Sequence, residues 1–283
     1  MGEVYEAEDT VENRVVALKT VLAKLLGSQK VIARFRREID LSNRISHPNV
    51  LTIYDVFELP PASDADIQVS SPCMVMELLS GETLADRLSE GRLFSEEEAR
   101  SIVIQTAKAL GAAHRADVVH RDLKPDNIFL VPQDDGEVRV VMTDFGVARP
   151  NNQPDTEESF TATDVIVGTP LYMAPEQLEL EEALPESDLY TLGLVVYEML
   201  TGKFPFEGDT GIQVVFMRVQ EDPIPPSRFK PDISEKWEEL ILSCLERDPN
   251  NRIREADDIV AFLEGDEELG SRKKWQPSWW PLK

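Results

Sequence analysis

The chain has 283 residues, and its 53 acidic against 29 basic side chains give a formal net charge of -24. That balance repels nucleic acid and anionic membrane in bulk, so any polyanionic ligand depends on a local cationic site. Hydrophobic residues at 42% and charged residues at 29% argue against disorder throughout, and the length suffices for one large domain or two lobes.

Two cysteines, Cys73 and Cys244, sit in apolar sequence beside three histidines in the whole chain. Neither a disulfide framework nor a Cys/His zinc site is indicated. The N-terminus is acidic and unlike a signal peptide, and the most hydrophobic stretch, Leu189 to Leu200, is short for a membrane span. A reducing, cytoplasmic compartment is the expectation.

Residues 3–8 and 14–20 alternate like strands around the polar turn Asp9 to Asn13, which reads as a hairpin needing further strands. From Ser28 to Ile45, Ile32, Phe35 and Ile39 recur at helical spacing behind Ser28 as a cap. Residues 51–58 and 73–78 read as strands around a polar loop. Ser95 with Glu98 forms a capping box for a helix reaching about Ala116. Short strands follow at 128–131 and 138–143, joined by the turn-forming Asp134-Asp135-Gly136. After Arg149 comes a long polar stretch of the kind that is usually functional inside a domain, and the remainder reads as helical. The expected organisation is a small sheet lobe over residues 1–80, a hinge near Leu79 to Glu82, a larger helical lobe over 81–263, and a basic, tryptophan-rich tail over 264–283.

Two stretches carry the chemistry: VVHRDLKPDNIFL, Val118 to Leu130, and VVMTDFGVAR, Val140 to Arg149. Singly, Asp122, Lys124, Asn127 or Asp144 would suit a solvated loop. Together they resemble the catalytic loop and metal-binding motif of eukaryotic-type (Hanks-type) serine/threonine protein kinases, in their bacterial form. The resemblance extends along the chain through VALK with Lys19, Glu38 in the first helix, His47 to Asn49, Met76 to Leu78, GTPLYMAPE ending at Glu176, SDLYTLG with Asp188 and Gly193, and Arg252. It implies an α+β, protein-kinase-like two-lobe fold.

In this family a first strand and a GxGxxGxV turn cover the nucleotide phosphates, and MGEVYEAED resembles only the end of that element. Gly2 matches its third glycine and Val4 the apolar residue over the adenine. The first strand is missing from the sequence given, and the expectation is an upstream start site or a trimmed piece.

The resemblance implies the following roles. Lys19, oriented by Glu38, meets the α- and β-phosphates of ATP, while Asn127 and Asp144 hold Mg²⁺, with Mn²⁺ as the alternative ion. Asp122 accepts the proton of the substrate hydroxyl, and Lys124 neutralises charge on the transferring phosphoryl group. The Glu77 carbonyl and Leu79 amide meet the purine edge between apolar walls formed by Ala17, Met76 and Phe129. The acceptor is a protein Ser or Thr.

Thr161 and Thr163 are the candidate phosphorylation sites, where phosphate can pair with Arg121 and order the segment. Transfer between two copies of the chain makes a homodimer a candidate partner. Trp275, Trp279 and Trp280 behind Arg272, Lys273 and Lys274 suit either docking on a protein surface or contact with a membrane interface. Two readings stay open: an active kinase, or a pseudokinase or weakly active truncated form that serves as a binding module. Ser42, four residues after Glu38 where the family commonly has an apolar side chain, could loosen the active arrangement.

Overall fold

Asp9 Oδ1 accepts the amides of Val11 and Glu12 at 3.1 Å, closing the turn between β1, Gly2–Asp9, and β2, Arg14–Val21. The computed structural model describes residues 2–60, 70–145, 170–179, 183–208 and 210–265. Within them the hairpin gains the partners it needs from β3, Ile53–Leu59, and β4, Ser71–Glu77, in an antiparallel sheet ordered β1-β2-β4-β3.

The expected strand at 73–78 starts two residues earlier and takes in Pro72. A proline is tolerated there because β2 pairs with β4 only as far as Cys73, so the missing N–H interrupts no ladder on that side. The strand expected at 51–58 occupies Ile53–Leu59, its ladder to β4 disturbed by a register shift between Ile53 and Asp55.

Ser28 Oγ accepts the Val31 amide and caps helix α1, Gln29–Ser42. The helix ends three residues before the expected Ile45. Its buried face is Phe35, Glu38, Ile39 and Ser42, spaced i, i+3, i+4, i+7. Phe35 and Ile39 pack with Ala17, Val21, Met74 and Met76 into the core of the small lobe. The same face therefore carries Glu38 and Ser42 inward, Ser42 itself being buried.

The chain leaves β4 through residues 78–81, and Gly81 passes so close to the next sheet that an added Cβ would lie 2.2 Å from the Leu130 carbonyl oxygen. That sheet runs β5-β6-β7, with β5 at Glu82–Thr83, β6 at Ile128–Pro132 and β7 at Val138–Met142. Helix α2, Leu84–Ser89, starts at a Thr83–Asp86 capping box. Helix α3, Glu96–Arg115, starts at the expected box, Ser95 Oγ accepting the Glu98 amide while Glu98 accepts the Ser95 amide.

Helix α3 is the axis of the large lobe, packing on β7, on α5, Pro185–Thr201, and on α8, Ala256–Glu264. Helices α4, Pro175–Leu178, α6, Gly211–Gln220, and α7, Glu235–Cys244, complete it. Gly193 lets α5 approach α7, since a Cβ there would lie 2.6 Å from that of Cys244. Both cysteines are free and buried. No helix among the described residues is long and apolar enough to cross a membrane.

Residues 47–51 join the two lobes. Asn49 O accepts the Met142 amide at 2.9 Å, Met142 O accepts the Leu51 amide at 3.0 Å, and Asn49 Nδ2 donates to Val140 O at 2.7 Å and to Gln105 Oε1 at 2.8 Å. Gln105 returns the contact to β7, its Oε1 accepting the Val140 amide and its Nε2 donating to Val138 O. Helix α3, strand β7 and the entry to β3 are thereby one hydrogen-bonded unit.

Candidate active site

Lys19 lies on β2 opposite Val4 of β1 and Met74 of β4, so the pleat points it to the α1 side of the sheet. Its Nζ donates to Glu38 Oε1 at 2.6 Å and to Asp144 Oδ1 at 2.6 Å. Glu38 is therefore a buried residue joined to the β2 lysine. Arg34, one turn earlier on α1, stands in the field of Asp122, Glu38 and Asp144, which oppose the lowering of its pKa by burial.

Burial raises the Glu38 carboxyl to about 7, with Lys19 opposing and Asp144 adding to the rise. Burial also pushes Asp144 upward, but Lys19 outweighs it and Asp144 titrates below the usual carboxylate range. For Lys19 the two carboxylates outweigh desolvation and hold the ammonium charged.

The loop after α3 is fixed from below. Asp188 on α5 is 1% exposed, and its Oδ2 accepts the His120 amide at 2.8 Å while Oδ1 accepts the Arg121 amide at 2.9 Å. His114 Nε2 meets Oδ2 at 2.8 Å. Asp188 therefore holds the backbone of this loop and does not cap its own helix. Arg121 adopts φ 69°, a left-handed conformation costing a non-glycine residue about 1–3 kcal/mol, and Asp144 adopts φ 61°. Gln177 Nε2 donates to Arg121 O at 3.0 Å, adding a second anchor from α4.

His120 is fully buried, and its Nε2 lies 3.0 Å from Thr143 O. A carbonyl only accepts, so Nε2 carries the proton. Burial keeps the imidazole neutral, and its ring lies 4.6 Å from that of Phe145.

On this held backbone Asp122 and Lys124 stand side by side, carboxylate to ammonium 3.4 Å, both open to solvent. Asn127 ends a tight 3-10 turn, Pro125–Asn127, and its Nδ2 donates to Asp122 O at 2.8 Å. With the amide nitrogen thus committed, Asn127 Oδ1 is the atom left to act as an oxygen donor. Asn127 O also accepts the Thr143 amide at 3.0 Å, which ties this turn to the residue before Asp144.

The residues expected around a purine fall along the lobe junction. Ala17 and Met76 are paired across β2 and β4 and are buried. Glu77 ends β4 opposite Val16, and Leu79 follows, half-buried. Phe129 lies opposite Val141 on β7 and Thr83 on β5. Gly2 pairs with Val21, and Val4 is 57% exposed at the sheet edge. Thr161, Thr163 and the tryptophans of the tail lie outside the described residues.

Beneath the site, Glu176 and Arg252 form a buried two-pronged pair, Nη1 to Oε1 2.9 Å and Nη2 to Oε2 3.1 Å. Ser187 Oγ donates to the same carboxylate at 2.6 Å, and Arg252 also donates to the carbonyls of Glu186, Glu246 and Arg247.

Several residues that tie these elements together carry no local sequence signal. These include Gln105, Gln177, Arg139 on β7, and the buried Arg218, which donates to Leu171 O and Met173 O. Only a three-dimensional neighbour reveals their roles.

A sequence model of the family described as "Protein kinase domain" matches residues 1–261. Among curated relatives, a probable serine/threonine-protein kinase of Streptomyces coelicolor is 39% identical over 269 residues, covering 94% of this chain and 38% of the relative. The probable serine/threonine-protein kinase PknB of Corynebacterium glutamicum is 37% identical over 267 residues, covering 93% of this chain and 40% of the relative. The serine/threonine-protein kinase pkn3 of Myxococcus xanthus is 35% identical over 266 residues, covering 93% and 47% respectively. The chain thus spans less than half the length of each of these relatives.

Proposed function

The chain belongs to the protein kinase family, and from that premise we propose that it transfers the γ-phosphate of ATP to serine or threonine hydroxyls of a protein substrate. The observation that carries this reading is the convergence of Lys19, Glu38 and Asp144 within hydrogen-bond distance, beside a loop whose backbone Asp188 holds. The relatives' names point to the same reaction.

The donor set fits a magnesium nucleotide. Asn127 Oδ1 and the Asp144 carboxylate are hard oxygen donors of the kind Mg²⁺ takes alongside phosphate oxygens, and Mn²⁺ is the alternative. The ion, when bound, neutralises charge on the β- and γ-phosphates. Lys19 is the cation for the α- and β-phosphates, and Glu38 keeps its ammonium from turning away. Ala17, Met76 and Phe129 enclose the purine, whose edge meets the Glu77 carbonyl and Leu79 amide, and Gly2 and Val4 lie over the nucleotide.

Asp122 aligns the acceptor hydroxyl and takes its proton as the bond to phosphorus forms. Lys124, 3.4 Å from that carboxylate, offsets negative charge on the phosphoryl group in transit. The rate enhancement is then mostly positioning and electrostatics.

Residues 1–80 and 81–263 act as the two lobes, and the tail over 264–283 meets either a protein surface or a membrane interface. Phosphorylation of Thr161 and Thr163 by a second copy of the chain, with Arg121 receiving the phosphate, is the activating step. A cytoplasmic compartment, where ATP is abundant, suits this reading. The test is transfer of labelled γ-phosphate to a generic protein substrate, with Asp122→Asn as reference. Transfer well above that variant supports the reading, and equal transfer overturns it.

A further inference from the structure

Arg139 spends all three of its guanidinium nitrogens on two other segments of the chain. Its Nη1 donates to Glu77 Oε2 at 2.9 Å, its Nη2 to Glu77 Oε1 at 3.1 Å, and its Nε to Pro48 O at 2.9 Å. The first two bonds form a planar fork onto one carboxylate, a match that a guanidinium makes and an ammonium does not.

Glu77 is held at further points. Its Oε1 accepts the Thr52 amide at 2.8 Å, its own amide donates to Thr52 O at 3.0 Å, and its Cα pairs with Val16 on β2. The side chain is 12% exposed and that of Arg139 is 30% exposed, so the fork is largely shielded from competing water. A glutamate whose carboxylate is pulled toward β7 and residues 48–52 in this way has its main chain turned to one fixed orientation.

We propose that Arg139 is the positioning residue for the purine end of the nucleotide site: through the Glu77 carboxylate it sets the direction of the Glu77 backbone against which the base is read. The proposal rests on the kinase reading above and adds to it a residue outside the motifs. The fork acts on the purine end and leaves the phosphate end in place, because Asn49 and Gln105 anchor β7, and hence Asp144, through bonds in which Arg139 takes no part.

The fork competes with a purely structural reading, in which Arg139 only ties β7 to the small lobe. The two differ in what the variants do. Arg139→Ala should raise the ATP KM and weaken the calorimetric Kd for ADP about tenfold, the scale of one lost charge-assisted bond, with kcat within about twofold of wild type. Adenosine, which has no phosphates, should weaken by the same factor as ADP.

Arg139→Lys should recover the melting temperature but not the nucleotide affinity, since an ammonium restores the charge but lacks the planar fork that orients the Glu77 carboxylate. Glu77→Gln combined with Arg139→Ala should weaken binding no further than Arg139→Ala alone. If Arg139→Ala does not fold, Arg139→Lys and Glu77→Gln carry the same comparison. Unchanged adenosine and ADP affinity in a variant with a lowered melting temperature overturns the proposal and leaves the kinase reading standing. A wild-type chain that binds neither ligand overturns both.

Discussion

Lys19 and Asp144, 125 residues apart in sequence, meet at 2.6 Å, and the same ammonium lies 2.6 Å from Glu38. One cation therefore joins a strand and a helix of the small lobe to the start of the segment that follows β7. Each lobe supplies a carboxylate to it, so the site exists only when the lobes are closed to this distance. Three groups of charges, this cluster, Asp188 and the Glu176–Arg252 pair, each have a consequence that can be measured.

The first concerns pH. Burial lifts Glu38 to about 7, well above the range of an exposed glutamate. Its ion pair with Lys19 requires the ionised form, so kcat/KM should fall as pH drops below about 7, and Glu38→Gln should be less active and lack that limb. Stability moves the other way for this group: the folded chain holds a proton there that the unfolded chain has released, so its contribution is present below the unfolded pKa and is lost as pH rises through the folded one. Asp144, held below its usual range, contributes stability above its unfolded pKa that is lost as pH falls. A profile without an acid limb near neutrality in the wild type would contradict the assignment.

The second concerns Asp188. Its carboxylate accepts two backbone amides and the His114 ring from a position 1% exposed. Asp188→Ala leaves those donors without an acceptor and frees Arg121 from its left-handed backbone. A loss of about 2–5 kcal/mol of stability is expected in urea denaturation, together with a fall in kcat larger than the change in ATP KM. An Asp188→Ala variant with wild-type kcat would show that the loop holds its shape without this anchor.

The third concerns Glu176 and Arg252, whose side chains are 4% and 0% exposed. Removing one partner strands a buried charge, and Arg252→Met should cost about 3–5 kcal/mol. Glu176→Gln together with Arg252→Met should recover much of that loss, because no bare charge remains. Equal loss in the single and double variants would indicate that the carbonyl contacts of Arg252 dominate over the ion pair.

Much of this architecture was legible in the residues. The alternation in β1 and β2, the Ser28 cap, the Ser95–Glu98 box and the apolar spacing of Phe35 and Ile39 all act over a few residues, and local physics places them. Helix α2 was not anticipated: its Thr83–Asp86 capping box is local, but six residues are too few for a helical period to stand out. Pro72 inside β4 could not be foreseen, since its tolerance depends on where β2 stops pairing.

Within the candidate site, motif order pointed to Lys19, Glu38, Asp122, Asn127 and Asp144, whereas their distances could be read only from the fold. Arg139 and Gln105 gave no signal at all, because their meaning comes from Glu77, Asn49 and Val140, residues brought to them only by the fold.

The most direct measurement separates holding ATP from using it. Wild type, Asp122→Asn and Lys19→Met are compared by calorimetric titration with Mg²⁺-ATP and by transfer of labelled γ-phosphate to a protein substrate. Asp122→Asn is expected to bind ATP close to wild type yet transfer at least about a hundredfold more slowly, and Lys19→Met to lose transfer as well. Wild-type transfer no faster than that of Asp122→Asn, with ATP demonstrably bound, would contradict it.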